Sequence, residues 1–221
     1  MSPIYVRLVT VTLSLLLGLG TAWADVVTDW NVTALGVSEL ALVPATNRAL
    51  AITHAAIFDA VNAVTRSHTP YLIQPQAPAG TSQHAAAAVA AYGVLVWLYP
   101  SQKARLDEAL KTSLGKLPDG TAKDNGVAVG RHVAEKYVAV RTRDGADRKV
   151  DYTPGTAAGK WRPTPPAMQP FVSVVWAEVT PFVLKSPTEV AAPGPLPLDS
   201  AQYAKEIDEV RHVGARDSKG R

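Results

Sequence analysis

The chain contains no cysteine. Disulfides and thiolate metal sites are therefore excluded outright, and a chain of this length must rely on its apolar core instead. Charge of either sign is also in short supply. Lys and Arg number 22 against 19 Asp and Glu, a formal net charge of +3 that falls by one if Arg7 is lost. The basic residues are scattered among acidic ones and form no aromatic–basic stripe, which argues against a nucleic-acid partner. Strand-like alternation is scarce. Beyond residue 24 no uninterrupted apolar run reaches the length needed to span a bilayer.

What is present begins with an export signal. Met1 to Arg7 carries a single positive charge, Leu8 to Gly20 is apolar and uncharged, and Ala22 and Ala24 supply the small-x-small pattern read by a signal peptidase. Residues 1–24 are thus expected to be removed, the mature chain starting at about Asp25 in the periplasm or outside the cell. An uncleaved anchor is the alternative, but the apolar run is short for one. The mature chain is expected to be free of the membrane.

The mature sequence predicts an all-α fold: a bundle of about six helices with a long Pro-rich strap before the last. The helical core is expected over residues 25–143. A first helix covers part of Val26–Leu40, and a second follows Pro44 to about Val64, with Leu50, Ile57, Phe58 and Val61 as its apolar stripe. A third starts near Ser82 and ends at Leu98. A fourth is predicted with Ser101 as N-cap and Leu106, Leu110, Leu114 and Leu117 on its buried side. A fifth runs from about Thr121 to Arg143. On it Gly126, Gly130 and Ala134 recur every four residues and make a flat face for close helix packing.

The periodicity then stops. Residues 144–199 hold ten of the 17 prolines. Tyr152, Trp161, Phe171, Trp176 and Phe182 within them read as anchors pressing an extended strap onto the helical body, because disordered segments lack such residues. The third region, 200–221, opens with Ser200 as N-cap of a last helix to about Val213, with Gly214 as its C′ residue.

A search for chemistry finds little. The five histidines, His54, His68, His84, His132 and His212, include no pair four apart. There is no Gly-x-Ser-x-Gly elbow, and the Gly126–Gly130 run lacks the Lys-Ser/Thr that follows a phosphate loop. His54 lies on the stripe with Leu50, Ile57 and Phe58 and is expected to be largely buried, with Asp59 and Asn62 on an adjoining face. It either positions a pocket or is a core histidine satisfied by a neighbour, and the second is the commoner fate of a buried polar group. His84 and His132 read as surface residues. Lys160 and Arg162 are a candidate anion pair, with a solvated strap pair as the plainer alternative.

Three strings carry a resemblance. They are His54-Ala55-Ala56-Ile57-Phe58-Asp59-Ala60-Val61-Asn62-Ala63-Val64; Leu98-Tyr99-Pro100-Ser101-Gln102 with Leu106-Asp107; and Asp151-Tyr152-Thr153-Pro154-Gly155 with Gly159-Lys160-Trp161-Arg162-Pro163-Thr164-Pro165-Pro166, Pro181-Phe182 and Ser186-Pro187. In order and spacing they resemble the bacterial vanadium-dependent haloperoxidase-like proteins, of the superfamily that includes type 2 phosphatidic acid phosphatases and bacterial acid phosphatases. The resemblance implies a helical enzyme in which a lysine, two arginines, a Ser-Gly pair and a histidine grip vanadate, which activates hydrogen peroxide as a Lewis acid for halide oxidation.

The motifs that carry those ligands in the family, Lys-x6-Arg-Pro, Pro-Ser-Gly-His and Ser-Arg-x5-His, do not occur in the 221 residues. Lys160 and Arg162-Pro163 imitate the first at the wrong spacing. The resemblance therefore assigns no catalytic, cofactor-binding or metal-binding residue. The expectation is the N-terminal portion of an exported haloperoxidase-like protein, inactive alone, with vanadate belonging to the full-length parent. Its partner would be the missing C-terminal half or another copy of the chain, meeting a face such as Gly126/Gly130/Ala134 that lacks part of its cover. The alternatives are an acid phosphatase of the same superfamily and a non-catalytic exported helical binding protein.

Overall fold

The computed structural model describes residues 25–38, 43–190 and 192–216. The expected signal peptide and the extreme C-terminus lie outside them. The described residues are helical without a strand, and their contacts gather into two units, one ending at Arg141 and the other beginning at Thr142.

The first unit holds five helices: α1 (Val26–Val37), α2 (Val43–Thr65), α3 (Gln83–Leu98), α4 (Lys103–Gly115) and α5 (Thr121–Arg141). α1 starts where the Asp25 carboxylate accepts the Thr28 N–H at 2.8 Å, a hydrogen bond that also lowers the carboxyl pKa. It buries Trp30, Ala34 and Val37, spaced at i, i+4 and i+7. The Trp30 indole N–H has no hydrogen-bond partner among the described residues. The cost, about 1–3 kcal/mol, is smaller than the roughly 4 kcal/mol gained by burying an indole of some 150 Å² or more.

α3 is the centre. Ser82 Oγ caps it by accepting the Ala85 N–H at 3.2 Å, and Ala85 through Ala91, Val94 and Leu95 are all buried. A helix apolar on every side has no wet face to spare and must be surrounded. α1, α2, α4 and α5 all pack on it. Its alanines let the neighbours come close, and α5 comes closest. A Cβ built on Gly126 would stand 2.5 Å from the Ser82 carbonyl oxygen, and one on Gly130 would overlap the carbonyl oxygen of Ala86. The Gly126/Gly130/Ala134 face is thus covered by α3, which corrects the expectation that it lacks cover.

One boundary and one burial also differ from the sequence reading. Ser101 caps nothing: Pro100–Gln102 form a 3-10 turn, and α4 follows it with Gln102 in the N-cap place and no side-chain cap. The ring of Pro100 favours that tight turn, which carries the chain directly into α4. Phe58, placed on the buried stripe of α2, is 39% exposed, whereas Ile57 of the same stripe is buried and Leu50 and Val61 pack against the core.

The second unit is irregular up to a last helix, α6 (Ala201–Gly214). Tyr152 meets Trp161 and Phe171 edge-on, at centroid distances of 5.9 and 5.3 Å. The Thr180 N–H donates to the Asp144 carbonyl at 2.8 Å, and Arg148 pairs with Glu178. Val174–Glu178 form a 3-10 turn. Ser200 caps α6 by accepting the Tyr203 N–H at 3.1 Å. Gly214 is the final helical residue, with Ala215 in the C-cap place, so it is not the C′ glycine expected.

Candidate functional site

Two features of the first unit stand out once the helices are placed: a buried polar hub on α2 and an apolar groove beside α3.

Asp59 is in register with Ile52 and Ala56, seven and three residues earlier, so α2 carries its carboxylate into the core, where it is fully buried. An isolated carboxylate there would be very costly. It is offset by four donors. Oδ1 accepts the Tyr71 N–H at 2.8 Å; Oδ2 accepts the N–H groups of Leu72 and Ile73 at 2.8 and 3.0 Å and the Tyr137 hydroxyl at 2.7 Å. Burial first, and the Asp59 carboxylate second, push the Tyr137 hydroxyl far above the usual tyrosine range. The Tyr71 ring stacks near that of Tyr137 with centroids 6.3 Å apart, and Arg141 donates to the Tyr71 hydroxyl at 3.0 Å. One turn after Asp59, Asn62 holds the His68 backbone from both sides. Its Oδ1 accepts the His68 N–H at 3.0 Å and its Nδ2 donates to the His68 carbonyl at 2.7 Å. The hub thus ties α2 to α5 and fastens the loop that follows α2. Sequence reasoning placed Asp59 and Asn62 beside the stripe and gave Tyr137 no role in a site. The usable signal was two polar residues three apart in an alanine-rich apolar string.

The groove lies between α3, α4 and α5 and encloses about 560 Å³. Val89, Gly93 and Val96 of α3, Leu110 and Leu114 of α4, and Val127, Ala134 and Val138 of α5 line it, with Tyr92 and Trp97 of α3 among them. Tyr92 donates to Asp107 at 2.7 Å, and the Arg48 guanidinium sits 5.5 Å from the Trp97 ring centroid. Arg131 and Glu135, four apart on α5, bring exposed charge to the lining.

The residues singled out from sequence do not converge. His54 is half-buried rather than largely buried as expected, and its Nε2 lies 2.9 Å from Asn31 Oδ1, a histidine satisfied by a neighbour as in the plainer reading. His84 and His132 are exposed, as expected. Lys160 and Arg162 are exposed in the second unit and line none of the cavities described. No cluster of three His, Asp or Glu side chains able to hold a metal occurs among the described residues, and none of their helices is long and apolar enough to cross a membrane.

The chain matches no family model, no curated protein and no solved structure.

Proposed function

We propose that these residues are the N-terminal helical portion of an exported vanadium-dependent haloperoxidase-like protein. In this reading the chain does no chemistry alone. It presents the α3/α4/α5 groove to a helix of the polypeptide that carries the vanadate site. The groove carries the proposal: an apolar recess of about 560 Å³ with exposed charge along one wall has the chemistry of a helix-in-groove interface. The order and spacing of the three strings support the family reading; they fall on α2, on the α3-to-α4 junction and in the second unit. The same groove supports a second reading, a helical module that binds an apolar partner segment and belongs to no peroxidase.

Two measurements separate them. Sequencing the gene past the Arg221 codon is expected to reveal Lys-x6-Arg-Pro and Ser-Gly-His in frame; their absence overturns the haloperoxidase reading and leaves the binding module. Purified residues 25–221 are expected to give no vanadate-dependent bromination of a diketone acceptor with peroxide and bromide. A vanadate-dependent rate from that fragment would show that the oxyanion site is built from these residues, contrary to the proposal.

A further inference from the structure

The loop after α2 is held in an unusual way. Residues 65–69 are exposed, and Tyr71 and Leu72 are about 40% exposed, so apolar burial fixes little of this segment. Its backbone is held by two side chains of α2, Asp59 and Asn62. Its side chains add the Tyr71–Tyr137 stack, the Arg141 bond to the Tyr71 hydroxyl and the Phe58–His68 ring contact. At Asp59 three consecutive backbone N–H groups, those of Tyr71, Leu72 and Ile73, converge on a single carboxylate. Such a run of amides is a concavity suited to an anion. The Tyr137 hydroxyl closes its far side.

We propose that Tyr71–Ile73 and Tyr137 form a carboxylate-binding nest, loaded in cis by Asp59, and that this loading sets the position of the loop. The donors are arranged for a planar two-oxygen anion, with one N–H directed at Oδ1 and three donors at Oδ2. An uncharged isostere cannot replace it: an amide at position 59 keeps one acceptor and turns an N–H₂ group toward donors. Deleting the side chain leaves a vacant site of the same polarity and shape, so the chemical class it takes is a small free carboxylate such as formate.

The test uses residues 25–221 carrying Asp59→Ala or Asp59→Asn, with hydrogen exchange read at the amides of residues 71–73. Both variants are expected to lose protection there by about tenfold or more, with much smaller changes in α3. Formate is expected to restore protection in Asp59→Ala but not in Asp59→Asn, and chloride at equal ionic strength is expected to restore neither. If Asp59→Ala does not fold, recovery of helical circular dichroism in formate against chloride gives the same answer. Wild-type protection at residues 71–73 in Asp59→Ala, or equal effects of formate and chloride, overturns the proposal.

Discussion

The α3–α5 contact makes one prediction in which an identical substitution has opposite signs at two sites. Gly→Ala inside a helix normally adds up to about 1 kcal/mol, because glycine pays more backbone entropy and exposes more backbone. At Gly115, the last residue of α4, an added Cβ meets nothing within 4 Å, so Gly115→Ala is expected to stabilise by about 0.5 kcal/mol. At Gly130 the new methyl overlaps the Ala86 carbonyl oxygen and stands 2.9 Å from Val89 Cβ. Both belong to the central helix, which is packed on several sides and has nowhere to retreat. Overpacking of this kind costs about 1–3 kcal/mol, and since backbone rather than a flexible side chain obstructs, the upper half of that range applies. Subtracting the propensity gain leaves Gly130→Ala destabilised by about 1–2 kcal/mol. Urea unfolding of residues 25–221, followed by helical circular dichroism, measures both. For a chain of this length, the two variants should move the thermal midpoint in opposite directions, by about 2–4 °C per kcal/mol. A Gly130→Ala protein as stable as wild type would refute the close approach of α5 to α3.

The hub and the caps add two more. The folded-state pKa of Tyr137 is raised, so the folded protein holds a proton that the unfolded chain releases above its ordinary tyrosine pKa of about 10. The contribution is fully present below pH 10 and is lost above it, at about 1.4 kcal/mol per pH unit. Tyr137→Phe is expected to remove that part of the alkaline slope in urea titrations between pH 9 and 11; an unchanged slope would show that the hydroxyl is not buried against Asp59. Ser82→Ala and Ser200→Ala each remove an N-cap acceptor and are expected to cost about 1 kcal/mol of helix stability. The first should appear as a loss of global stability in urea, the second as faster exchange at the first amides of α6.

How much of the hub was legible can be judged from α2. Its boundaries were readable from Pro44 and from the break after Val64, and the satisfied state of His54 followed from the rule that buried polar groups find partners. Most of its apolar stripe was read correctly, since Ile57 is buried and Leu50 and Val61 pack against the core; Phe58 was not. Phe58 was placed inside because it is large and apolar, whereas the core accepts Asp59 beside it. Only the later loop supplies the three amides that make a carboxylate tolerable there, and nothing local to the string announces them. The groove was illegible for a similar reason. Its lining comes from α3, α4 and α5, and no one helix shows a gap.

The sequence by itself determined what depends on neighbours along the chain. These are the all-α class, the start of α3 near Ser82, the cap at Ser200, the alanine-rich central helix and the small-residue stripe on α5, because capping and helical periodicity act over three or four residues. Only the tertiary structure decided which face of α5 was covered and by what, why a carboxylate sits in the core, and where an apolar recess stays open. Those outcomes are set by groups 12 to 78 residues apart in sequence, as with Asp59 and its partners Tyr71 and Tyr137. Their meeting is fixed by packing around α3 rather than by any local preference.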